Sequence, residues 1–138
     1  MIDELPDLEN TANYRKFIRF ALNRADSIGV SYTSDLSAFR ESKWWEELGE
    51  SVIWHEYDER GILMLRMGID HPVYSWLKSK RNIFDFGGLG DTDNTEFLWD
   101  LCLYKDGREI FSSVTHERQL YISAELCDPY KKHIKENK

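Results

Sequence analysis

The sequence is poor in several things, and each shortage removes a class of protein. It has two cysteines, Cys102 and Cys127, 25 positions apart. That supply makes neither a disulfide framework nor a zinc site, and it fits two free thiols in a reducing compartment. No apolar run approaches the roughly 18 residues that a membrane span needs. The opening stretch Met1–Asn10 carries four acids and no base, with no apolar segment after it, so no secretory signal is expected. Basic residues are outnumbered, 18 against 25, and the formal charge of −7 argues against nonspecific nucleic-acid binding. The expected setting is therefore the cytoplasm, with neither membrane nor nucleic acid as partner.

Catalytic and cofactor signatures are missing too. No serine stands in Gly-x-Ser-x-Gly. Gly87-Gly88-Leu89-Gly90 lacks the spacing of a phosphate loop and runs into acids that would repel phosphate. Asp91 to Glu96 begins like a calcium loop, but glutamate stands where the sixth-position glycine belongs and Cys102 where the bidentate glutamate belongs. His55-Glu56 and His116-Glu117 are halves of a His-Glu-x-x-His motif, each without its second histidine. No catalytic residue, metal or cofactor is assigned.

What is present is enough apolar side chain for a core. Hydrophobic residues make up 41% of the 138 and aromatics 14%, which excludes a wholly disordered chain. The size suits one domain over residues 1–138, with 1–10 as a loose acidic lead-in and 128–138 as a basic C-terminal tail in which Tyr130 and Ile134 can dock a short helix. Tyr14, Phe17, Ile18, Ala21, Leu22 and Ala25 recur at helical spacing, with Asn10 or Thr11 to cap the start and Gly29 to end the helix. A short extended piece, Val30–Tyr32, follows. Leu36 to Leu48 predicts one bent helix or two short ones, broken across Glu41–Lys43.

Ser51–Tyr57 and Ile62–Met67 predict a hairpin around Asp58-Glu59-Arg60-Gly61, with Trp54 assigned to the core. Asp70 caps a short helix that has Pro72 in its first turn. Asn82–Glu96 reads as a long loop. Phe97–Tyr104, with Trp99 in the core, then Glu109–Thr115 and Gln119–Ser123 predict a meander whose first turn, Asp106-Gly107, suits type I′ geometry. Tight turns make neighbouring strands antiparallel. The predicted class is α+β: an antiparallel sheet of about five strands, a hairpin plus a three-strand meander, packed with N-terminal helices and one helix between the hairpins.

Charge is laid out unevenly. Residues 41–59 hold seven acids and one base, and residues 85–100 hold five acids and no base. Both stretches are rich in aromatics. Acidic clusters speed encounter with a basic partner, and aromatics beside charge are the raw material of binding hot spots. Trp44, Trp45, Glu46, Glu47 and Glu50, with Asp85, Asp91, Asp93 and Glu96, are the candidate partner-binding residues. Because Trp44 and Trp45 are adjacent, one narrow helix face cannot bury both.

Phe97 to Ser123, with Lys105-Asp106-Gly107 between two strands and Val114-Thr115-His116-Glu117 leading to a third, resembles small uncharacterised proteins of Gram-positive bacteria. Some of these are sporulation-stage-III-like, and such proteins look like immunity partners of secreted polymorphic toxins. The resemblance covers about the last third of the chain and the helix-first layout, and it brings no catalytic residues. It implies a non-catalytic immunity protein that occludes a toxin, and the acidic charge of the chain points to a basic, nuclease-type toxin as that partner. Two alternatives stand beside it. One is a small-molecule binder or enzyme with a pocket built from Tyr32, Trp76 and Tyr121 and the polar groups of His55 or His116. The other is an adaptor that self-associates through its sheet edge or its Trp44–Trp45 helix.

Overall fold

The computed structural model describes residues 7–32, 34–85, 98–114 and 117–136. Helix α1 spans Thr11–Arg24. Asn10 caps it, its side chain accepting from the Asn13 N–H, and Tyr14, Phe17, Ile18, Ala21 and Leu22 form the buried stripe that the spacing predicts. The helix stops at Arg24 rather than at Gly29. The chain enters strand β1, Ser27–Tyr32, three residues earlier than expected, and all six positions of that strand are buried. Ser27, Gly29 and Ser31 alternate with Ile28, Val30 and Tyr32, so the strand has one face of small residues and one of large ones.

Helices α2 (Leu36–Arg40) and α3 (Lys43–Leu48) flank the expected break, with Asp35 and Ser42 as their caps. A 3-10 turn, Gly49–Ser51, leads into β2 (Val52–Tyr57) and β3 (Leu63–Gly68). Their connecting turn has Gly61 at φ +82, a conformation open to glycine at no steric cost. Helix α4 (His71–Lys78) starts at the Asp70 cap, with proline in its first turn. Strands β4 (Leu98–Lys105) and β5 (Arg108–Val114) meet at Asp106-Gly107, where both residues have positive φ, as the type I′ reading requires. Strand β6 (Gln119–Ile122) and helix α5 (Ala124–Glu136) complete the described chain.

The fold is α+β, but among the described residues the sheet has six strands rather than five. Their order is β2-β3-β1-β4-β5-β6, every neighbouring pair antiparallel. The sixth is β1, read as a fragment in the sequence and in fact central. Residues 128–136 are not a tail either. They belong to the 13-residue α5, whose Leu126 and Tyr130 are buried. The short helix that Tyr130 and Ile134 suggest from sequence is present and longer than expected: it starts at Ala124 and runs through Pro129, which removes one backbone donor.

One hydrophobic core joins the sheet to the helices. On β3, Leu63, Leu65 and Met67 are buried while Met64, Arg66 and Gly68 are half-buried, so one sheet face takes the helices and the other does not. Tyr14 from α1 and Trp76 and Leu77 from α4 pack in the same core as Leu126 and Tyr130 from α5. Phe17 meets Phe111 and Tyr130 with ring centres 5.4 and 5.3 Å apart. The buried Tyr14 hydroxyl donates to the Leu77 carbonyl at 2.6 Å and ties α1 to the end of α4.

Candidate functional site

The acidic stretch 41–59 runs from the Glu41 C-cap of α2 through α3, the 3-10 turn and edge strand β2 into the turn that follows. Ser42 opens α3 by accepting from the Trp44 N–H at 3.2 Å. The adjacent tryptophans then part, as their adjacency demands. Trp44 turns inward to 7% exposure and meets Trp76 edge-on at 6.0 Å, with Lys43 and Lys80 over its ring. It is a core residue rather than a partner contact. Trp45 stays 40% exposed, its ring folded back over Gly49, where a Cβ would come within 2.7 Å of it. Glycine at 49 is thus what lets Trp45 lie along the surface at the helix end. Glu46, Glu47 and Glu50 are exposed beside it, as the sequence reading expects.

Strand β2 continues this surface. Among the described residues it lies at the sheet margin, paired with β3 on one side only. Ile53 is 64% exposed, Trp54 47% and Tyr57 48%. The assignment of Trp54 to the core is therefore wrong, since an edge strand has no neighbour to cover a large ring. Trp99, on the inner strand β4, is half-buried. The Ile53 position sits at a register shift between Val52 and Trp54, a bulge of the kind that re-aims side chains at sheet edges. Tyr57 is tethered: its hydroxyl accepts from the Leu36 N–H at 2.9 Å, which fixes the far end of β2 to α2. At the near end, the Ser51 hydroxyl donates to the Asp70 carboxylate, which also caps α4. The edge is thus held at both ends while, among the described residues, no strand pairs with its outer side. Glu41, Glu56 and Glu59 are exposed around it, with the three acids of α3 and its end.

Asp91, Asp93 and Glu96 lie outside the described residues, as do Gly87, Gly88, Gly90 and His116. Asp85 is described, and its charge is already engaged. Its carboxylate accepts from the Arg81 backbone N–H at 2.9 Å and pairs with the Arg81 guanidinium at 3.3 Å. Partial burial pushes the Asp85 pKa up, but these hydrogen bonds outweigh it and hold the carboxyl below its ordinary range. A carboxylate committed to its own chain is a poor anchor for a partner.

Of the pocket alternative, Tyr32, Trp76, Tyr121 and His55 are among the described residues. Tyr32 is buried at the end of β1, Trp76 packs against Trp44, and Tyr121 is exposed on β6. Tyr32 does line a cavity of about 390 Å3 with Asp35, Tyr57 and Trp99, but Asp35 is occupied in capping α2. His55 stands exposed on β2. Among the described residues, no three His, Cys, Asp or Glu side chains gather as metal ligands. No described helix is long and apolar enough to cross a membrane.

Sequence reasoning missed Ile53, Trp54 and Tyr57 as surface residues. The available signal was the composition of Val52–Tyr57 itself, which places large side chains on both faces of one strand. That pattern fits a strand buried on both faces or one at an open edge, and only the strand order decides between them. Comparison with known proteins finds no matching family model, no matching curated protein and no matching solved structure.

Proposed function

We propose that this protein is a non-catalytic binding protein that engages a basic protein partner through the surface formed by α3 and β2, in the manner of an immunity protein that occludes a cognate toxin. One observation carries the reading. Of the six large hydrophobic side chains exposed among the described residues, four are Trp45, Ile53, Trp54 and Tyr57, all within the stretch that carries the exposed acids Glu41, Glu46, Glu47, Glu50, Glu56 and Glu59. Aromatic anchors supply binding energy when desolvated, and a surrounding ring of one charge sets partner choice and encounter rate. A toxin that holds phosphates presents the complementary basic surface, and an acidic inhibitor competes there for the substrate's place. In this reading the protein acts in the cytoplasm and needs no cofactor.

The surface differs from the one expected from sequence. Trp45, Glu46, Glu47 and Glu50 remain in it, Ile53, Trp54, Tyr57, Glu56 and Glu59 join it, and Trp44 and Asp85 leave it. The test is capture from the source organism with a salt-gradient elution, run in parallel with two variants, Glu46→Lys/Glu47→Lys/Glu50→Lys and Trp45→Ala/Trp54→Ala. A basic protein eluted by moderate salt from the native chain, and held by neither variant, supports the reading, because screening weakens exposed charge contacts. Equal capture by all three would exclude this surface.

A further inference from the structure

We propose that the partner engages β2 by adding a strand to it, and that the added segment is an extended one alternating Lys or Arg with aliphatic or aromatic residues. The inference rests on the proposed function and specifies its mode of contact. A sheet edge presents a row of backbone N–H and C=O groups with no strand to receive them, which makes it a template for an incoming strand. Among the described residues Val52–Tyr57 is such an edge, six residues or about 20 Å long at the rise of a β-strand. It contains no proline, glycine or lysine, the residues that usually blunt an edge. The opposite edge, β6, is four residues long and passes after Ser123 into α5. Length and exposed apolar surface both select β2.

Charge selects the occupant. A second copy pairing with β2 about a two-fold axis would bring two acidic stretches, each with a net charge of −6 over residues 41–59, against one another. Like charges across a strand pair oppose pairing. The acids therefore do for this edge what lysines do elsewhere: they keep copies apart while leaving the backbone open to a strand of opposite sign. The side chains narrow the occupant further. Trp54 and Glu56 stand opposite Arg66 and Met64 of β3, on the sheet face that the helices leave open, while His55 and Tyr57 stand opposite Leu65 and Leu63. An added strand thus meets a carboxylate next to an indole on one face and a tyrosine ring on the other, which suits alternating basic and apolar residues.

The experiment uses the full chain and two decapeptides of alternating lysine and valine, identical except that one has its four central backbone nitrogens methylated. Charge is the same in both, and only the capacity to pair as a strand differs. Amide hydrogen exchange is read residue by residue. The expected result is at least a tenfold slowing of exchange at alternate amides of Val52–Tyr57 with the unmethylated peptide and no slowing with the methylated one. Equal binding of both peptides, without protection in β2, would overturn strand addition and leave the acidic, aromatic surface standing as a side-chain binding site. Binding of neither would remove both proposals. Protection in β2 that grows with protein concentration in the absence of peptide would make a second copy the occupant and overturn the basic-strand assignment.

Discussion

The guanidinium carbon of Arg66 sits 3.5 Å from the centre of the Tyr104 ring, across a strand that carries glycine at the crossing. Arg66 is on β3 and Tyr104 on β4, with β1 between them, and Gly29 of β1 is the residue opposite Arg66. A Cβ at position 29 would come within 2.9 Å of Tyr104 Cε2 and 3.3 Å of its hydroxyl. Glycine there opens the path along which the ring reaches Arg66. Trp54 approaches the same guanidinium at 5.6 Å, so the contact connects edge strand β2 to β4 across the face that the helices leave open.

Gly29→Ala should therefore destabilise the fold by about 1–2 kcal/mol, at the lower end for overpacking because the ring can pivot away and give up its cation–π contact. Tyr104→Ala combined with Gly29→Ala should cost less than the sum of the single changes, since the clash goes with the ring. Denaturant midpoints of the four proteins in the cycle measure this. Strict additivity would mean that residue 29 and the ring do not touch.

Tyr14→Phe should cost about 1–3 kcal/mol without altering the shape of the core. The buried hydroxyl donates to the Leu77 carbonyl, and phenylalanine leaves that carbonyl without this donor near the C-terminal end of α4. Urea unfolding measures the loss. A difference below a few tenths of a kcal/mol would show that the bond contributes nothing net.

Cys102 should resist thiol reagents in the native state. Burial, with the nearby Glu109 carboxylate, pushes its thiol up to about 12. At pH 8 an ordinary thiol near 8.5 is about a quarter thiolate, so Cys102 should react about a thousandfold more slowly folded than unfolded. A Cys127→Ser variant isolates the signal. Similar rates with and without denaturant would place Cys102 in a solvated setting.

Stability should fall as the solution becomes acid. The Glu125 carboxyl is lowered by hydrogen bonds from Arg108, and the Asp58 carboxyl by the Ile62 backbone N–H first and then by Arg60. A carboxyl whose pKa is lower folded than unfolded contributes stability above its unfolded pKa, and that contribution is lost as pH falls through the folded pKa. The loss should therefore develop below about pH 4.5, where ordinary carboxyls titrate. Arg108→Gln should reduce it, with Glu125 returned toward its ordinary value. Denaturant midpoints at pH 3 and pH 6 give the comparison, and an unchanged pH dependence in the variant would exclude the Arg108–Glu125 pair as a contributor.

The sequence by itself determined the local elements whose causes are local. The stripe of α1 follows from the spacing of Tyr14, Phe17, Ile18, Ala21 and Leu22. The break between α2 and α3, the Asp70 cap and the positive-φ turn at Asp106-Gly107 likewise depend on a few neighbouring residues. The acidity around Glu46, Glu47 and Glu50 was also legible, as was the parting of Trp44 from Trp45. Only the tertiary structure decided the rest. Whether Trp54 is core or surface depends on whether a strand lies beyond β2, and strand order is fixed by pairings between segments far apart in the chain. Gly29 reads as a helix stop from its neighbours, but its role comes from Tyr104, 75 positions away. Tyr130 and Ile134 suggest a short helix locally, but its extension back to Ala124 across Pro129 comes from Leu126 and Tyr130 burying against the core. In each case the deciding contact lies outside the window over which sequence pattern carries information.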